Sequence, residues 1–208
     1  MYLIRYILKW NQEDKDLPVE SRKPIRLLFF SPGGDLEVNN ALIDTITLSK
    51  TPVWGINIGR SYSAAAYILL SCHKRYCLPR AQLLLHQGSG AFSGTYAEIL
   101  PQVMAYQEQV EKLAGFVEEK TSYTKEEIEE NIVSDWYITA EEGFEKGVYQ
   151  GIISYISELL SLGVATMERY TGYKIIPADD PHLSNFYSHP DWNVYFNQIN
   201  EYIIVLDA

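Results

Sequence analysis

VWGINIGRSYSAAAYILL, residues 53–70, decides how the chain is read. Its first part, Val53 to Ile58, is an apolar run of strand length and composition. From Ser63 to Cys72 the alanines and large aliphatics predict a helix. Ser63 stands at the junction, so its hydroxyl and the amide of Ala64 lie at a helix N-terminus. An anion forming there is stabilised by N–H groups without intrahelical partners and by the helix dipole.

Upstream, Pro24 leads into an apolar strand broken only by Arg26, Ile25 to Phe30, stopped by the turn SPGGD. Downstream, Arg75 to Leu78 reads as a short strand and Gln82 to His86 as another. His86 closes the apolar Leu83 to Leu85, where a buried strand delivers its last side chain to a pocket and a general base belongs. Asp135, just before Trp136, Tyr137 and Ile138, is a carboxylate at the edge of apolar sequence, able to hold an imidazole in one tautomer. Singly, each has an ordinary explanation: a helix cap, a core histidine, a turn aspartate. In this order and these settings, Ser63, His86 and Asp135 read together as the array of a serine hydrolase.

The remaining elements alternate helix and strand, which predicts a mostly parallel sheet with crossovers. Tyr2 to Trp10 has the apolar spacing of an amphipathic helix, and Asn39 to Leu48 reads as another. Tyr96 to Lys120 is a long helix with Pro101 in its first turn or at a kink. Its apolar Ile99, Val103, Val110, Leu113 and Val117 exceed the needs of one core, which suggests a partner surface. Thr124 to Asn131 opens with a capping pattern, and Ala140 to Lys146 is capped by Thr139 and ended by Gly147. Gly151 to Tyr155 is the next strand. The texture changes near Ser157, so residues 1–157 are expected as the main domain and 158–208 as a C-terminal extension with a strand at Tyr202 to Leu206.

Composition narrows the function. Of 208 residues, 47% are hydrophobic and 21% charged, an ordinary globular balance. Net charge is −10, which disfavours nucleic acid and anionic membranes as partners. No apolar stretch is long enough to span a bilayer, and the N-terminal residues carry no export signal. Cys72 and Cys77 are the only cysteines, spaced without a second pair for zinc, so reduced thiols and a cytoplasmic location are expected. Asp179, Asp180, His182, His189 and Asp191 read as a solvated acidic loop rather than a metal site. No metal and no cofactor are expected.

SPGGDL, GRSYSAAAYILL, KRYCLPRAQLLLHQG, GAFSGTYAEI and SDWYITAEEGFEKGVYQGII resemble, in that order, the Clp protease proteolytic subunit family over roughly Tyr2 to Ile153. Several motifs in series are far more specific than one. The resemblance implies an α/β fold, the crotonase-like ββα superhelix, with residues 158–208 as an extension. It implies a serine endopeptidase cleaving extended peptides or unfolded protein inside a homo-oligomeric ring. Ser63 is then the nucleophile, His86 the base and Asp135 its orienting carboxylate, with the amides of Gly34 and Ala64 as oxyanion hole. Gly33, Gly90, Phe92 and Gly94 would line the substrate, the strand-like GAFSG holding it in extended form.

The chain departs from the family in three ways. Gly88 follows HQ where a proline is usual, Phe30 replaces a small residue before SPGG, and no counterpart of the family's opening strand and axial loop is expected before Met1. The last departure puts docking to an AAA+ unfoldase in doubt. Two alternatives remain: a non-catalytic ring subunit that binds peptides, and a Ser-Lys peptidase of the signal-peptide-peptidase type, against which His86 argues. A hydratase-like activity on the same fold is weaker still, because it does not need this triad.

Overall fold

A computed structural model describes residues 2–162 and 203–207. Helix α1 (Tyr2–Glu13) buries Ile7 and Trp10, and a short 3₁₀ turn at Val19–Ser21 leads into strand β1 (Ile25–Ser31). Next come α2 (Leu36–Leu48), β2 (Val53–Tyr62), α3 (Ala64–Ser71), β3 (Lys74–Cys77) and β4 (Gln82–Leu85). The chain continues through α4 (Tyr96–Lys120), α5 (Lys125–Asn131), β5 (Trp136–Ile138), α6 (Ala140–Glu145), β6 (Gly151–Ile152), α7 (Ile156–Ser161) and β7 (Ile203–Asp207). Helix α2 starts earlier than its apolar spacing suggests, because Asp35 caps it by accepting from the Val38 amide.

The sheet runs β5-β4-β2-β1-β7, and all its pairings except β4 with β5 are parallel. Strand β2 is longer than its apolar core and serves two neighbours in succession on one flank. Trp54 to Asn57 pair with β3, and Arg60 to Tyr62 pair with β4. Between these halves the register against β1 slips, from Phe29 opposite Asn57 to Ser31 opposite Ser61. Such a bulge turns the strand and re-aims the residues beyond it. Gly59 sits in the slip, with its amide held by Asn57 Oδ1 and the Phe30 ring where a Cβ would be. Phe30 is therefore not pressed into the oxyanion turn. Its ring lies over Gly59, and the Arg60 guanidinium stacks on it 5.0 Å from the centroid.

Ile25, Leu27 and Phe29 of β1, with Val53 and Ile56 of β2, join the core. Helix α3 is buried at every position, which its alanine-rich first turn permits. The Asn57 amide, fully buried, donates to the Gln82 carbonyl and to Tyr149 Oη and so joins β2 to the segment before β6.

Three expectations need correction. GAFSG is no strand here: residues 86–95 lie outside regular structure, since an extended segment needs a pairing edge and Gly94, at φ 134°, breaks the run. Pro101 lies beyond the first turn, inside helix α4, which sets aside the first-turn placement. The last strand before α7 is only Gly151–Ile152. Helix α4 also divides its apolar residues: Leu113 and Val117 are buried in the chain's own core, while Tyr96, Leu100, Val103 and Met104 are exposed. The strand expected at Tyr202 to Leu206 forms as β7, parallel to β1 along its outer edge. The histidines and aspartates between 179 and 191 lie outside the described residues. No helix among the described residues is long and apolar enough to cross a membrane.

Candidate active site

Parallel pairing carries Tyr62 of β2 alongside Leu84 of β4, so both chains leave the sheet at the same end. Ser63 comes directly after the first, and His86 two residues after the second. The Ser63 amide donates to the Leu84 carbonyl at 2.8 Å, which ties the serine to the strand that delivers the histidine. On the other side β5 runs antiparallel to β4 with Trp136 opposite Leu85, and this register sets Asp135 beside His86. Trp136 anchors β5 from below by packing on Tyr123 at 4.6 Å between ring centroids.

Ser63 Oγ lies 2.7 Å from His86 Nε2, and His86 Nδ1 lies 3.1 Å from Asp135 Oδ1. A carboxylate only accepts, so Nδ1 carries the ring proton toward Asp135 and Nε2 is left to accept from the serine hydroxyl. The three residues are far apart in sequence, and the fold brings them together. The Asp135 side chain is 59% exposed and the His86 side chain 29%, so the array opens to solvent on the aspartate side.

Ser63 has φ 54°, and it is the one non-glycine residue of positive φ among the described residues. Such a conformation costs on the order of 1–3 kcal/mol and persists where the surroundings impose it. The surroundings here are Gly33 and β4. Gly33 has φ 104°, and a Cβ built on it would lie 2.6 Å from the Tyr62 carbonyl oxygen and 2.8 Å from Ser63 Cβ. The SPGG turn is thus seated directly on the strand-to-helix elbow. The Gly33 amide donates to Ser31 Oγ at 3.2 Å. Ala64 opens α3, so its amide has no intrahelical acceptor.

The steric need for glycine falls on Gly33, whereas a Cβ on Gly34 would meet nothing within 4 Å. Gly90, Phe92 and Gly94 lie in the irregular segment before α4, with Phe92 packed edge-on against Tyr106 of α4 at 5.8 Å. Sequence reasoning passed over the tyrosines. Tyr62 donates to Gln82 Oε1 and stands edge-on to the half-exposed Tyr137 at 5.8 Å. Tyr67 donates to the His86 carbonyl and Tyr106 to the Gln87 carbonyl. For Tyr67 a signal existed: it stands four residues after Ser63 on a helix, and so on the serine's own face.

A hydroxyl in contact with an imidazole, the imidazole oriented by a carboxylate, and a helix N-terminus behind the hydroxyl form an array of the serine-hydrolase type. The family model of Clp protease matches residues 17–155, well over half of the chain. An ATP-dependent Clp protease proteolytic subunit 3 of Rhizobium meliloti (strain 1021) is 33% identical over 69% of this chain and 74% of its own length. The ATP-dependent Clp protease proteolytic subunit of Paracoccus denitrificans is 30% identical over 69% and 73%. A subunit 3 of Rhizobium etli is 31% identical over 66% and 72%. This chain belongs to the Clp protease family, and its mixed α/β sheet is the crotonase-like fold of that family. The match begins at residue 17, so α1 stands outside it.

Proposed function

We propose that the chain is a serine endopeptidase in which Ser63 attacks the scissile carbonyl, His86 moves the proton and Asp135 holds His86. What supports this reading above all is the continuous contact from Asp135 through His86 to a serine held at positive φ. As Ser63 Oγ bonds to the carbonyl carbon, its proton passes to Nε2, and Asp135 stabilises the imidazolium that forms. The oxyanion faces the amides of Gly34 and Ala64. Collapse breaks the C–N bond, the proton on Nε2 goes to the leaving amine, and water repeats the sequence on the acyl ester.

The substrate is peptide in extended form, passing between the Gly33 turn and the segment holding Gly90, Phe92 and Gly94. The exposed apolar face of α4, with Tyr96, Leu100, Val103 and Met104, supports association with further copies of the chain. Two buried free thiols, Cys72 and Cys77, fit a reducing compartment such as the cytoplasm. The test is a fluorophosphonate probe on purified protein. Labelling that Ser63→Ala abolishes supports the reading, and an unlabelled wild-type protein overturns it in favour of a peptide-binding subunit without catalysis.

A further inference from the structure

The base is held on its two sides by different means. Before His86 the chain is a strand, fixed by the pairing of Leu84 and Leu85 with their neighbours. After it there is no strand, and two residues on stands Gly88 at φ 82°, the residue with the widest backbone freedom. A base whose main chain pivots there loses the alignment of its ring to both partners. The bond to Asp135 is a weak restraint, since that carboxylate is 59% exposed.

Hydrogen bonds from three other elements close on this turn. Buried Tyr67 of α3 donates its hydroxyl to the His86 carbonyl at 3.2 Å. Tyr106 of α4 donates to the Gln87 carbonyl at 2.8 Å. The Gln87 amide donates to the Ile132 carbonyl, just after α5, at 2.9 Å. Consecutive carbonyls of the turn are thus each capped by a tyrosine hydroxyl. Burial raises the Tyr67 pKa well above the ordinary phenol range, so its hydroxyl stays a donor. Tyr106 also packs on Phe92, so one side chain touches both the base turn and the segment proposed to line substrate.

We propose that Tyr67 and Tyr106 are positioning residues for His86, clamping the carbonyls of His86 and Gln87 so that a glycine-containing turn presents the imidazole to Ser63. The inference rests on the proposed peptidase reading for its consequence, while the clamp itself is read from His86 alone.

The experiment compares full-length wild type with Tyr67→Phe, Tyr106→Phe and the double variant, each labelled with ¹³C-histidine. Two quantities are read: the His86 Cε1–Hε1 resonance, assigned by His86→Gln, and the rate of fluorophosphonate labelling at saturating probe. Loss of the clamp should move the His86 resonance or split it, and slow labelling roughly tenfold or more, since ångström misplacement costs on the order of 10²-fold. Probe affinity should hold. Tyr106 is only partly buried, so its variant reports even if Tyr67→Phe fails to fold. An unmoved His86 resonance in a folded Tyr106→Phe overturns the proposal, whatever labelling does. A moved resonance in a protein that never labels supports the clamp and refutes the peptidase reading.

Discussion

Gly33 rests on Ser63: a Cβ added to the glycine would come within 2.8 Å of the serine Cβ and 2.6 Å of the Tyr62 carbonyl oxygen. Neither neighbour yields, because one is backbone and the other is held at positive φ by its bond to β4. Gly33→Ala should therefore destabilise by about 1–3 kcal/mol and remove labelling, through strain at φ 104° and displacement of the elbow. Gly34→Ala, with open space around the added carbon, should keep the wild-type melting temperature. Thermal melts and labelling of the two variants side by side check this, and equal effects would contradict it.

Asp135→Asn should separate activity from stability. The asparagine presents a donor to Nδ1 and favours the wrong tautomer, which in such arrays lowers turnover by on the order of 10⁴. An exposed residue at the edge of the sheet contributes little to folding, so the melting temperature should change by no more than a degree or two. A peptide-turnover assay and a melt on one preparation decide both halves.

Phe30 and Gly59 should couple. A methyl at Gly59 meets the Phe30 ring at 2.6 Å, so Gly59→Ala forces the ring aside and disturbs its stacking with Arg60. Removing the ring first relieves that clash. In a double-mutant cycle with Phe30→Ala, the two changes together should cost less than their sum by about 0.5–1 kcal/mol. Strict additivity would show that the ring moves freely.

Stability should narrow from both ends of the pH scale. Burial lowers the His73 pKa, and the neutral ring accepts from the Val53 amide at Nδ1. The unfolded chain then binds a proton near pH 6.5 that the folded chain refuses, so stability falls as pH drops below about 6.5. Burial pushes the Cys77 thiol up to about 12, and Cys72 shifts in the same direction. Here the folded state keeps protons that the unfolded state gives up near pH 8.5, so stability is full below that and declines as pH rises toward 12. Melts from pH 5 to 11 should show both limbs, and His73→Gln should flatten the acid one above pH 5.

Deleting residues 203–208 should bare the outer edge of β1, where Arg26 to Phe30 pair with β7. An exposed edge recruits other strands, so light scattering should report larger species and the melting temperature should fall. Unchanged mass and melting temperature would show that β1 does not need this neighbour.

What the sequence carried well was anything written in short-range chemistry. Thr124 with Glu127, and Thr139 with the turn after it, cap helices that begin where expected. Ser63, His86 and Asp135 stood out by the strand or helix boundary they occupy, and the fold brings their side chains into contact. Strand β5 was harder, because three residues cannot show a period and its pairing exists only through β4. The slip between Phe29 and Ser31 was illegible, since register is a property of two strands. The tyrosine contacts to the His86 and Gln87 carbonyls were hidden too, although the place of Tyr67 on the serine's helix was not: each joins residues 19 apart, and the partner is a backbone carbonyl that no side-chain pattern marks.

The bond from the Ser63 amide to the Leu84 carbonyl bears on how the molecule fails when heated. Nucleophile and base hang from one cooperative unit, the buried β2–β4 pair, and so part company only when that unit opens near the end of melting. Asp135 lies outside regular structure, just before the three-residue strand β5 at the rim, which frays sooner. Inactivation on warming should accordingly precede loss of the sheet and reverse on cooling, as a local opening at the carboxylate end of the array.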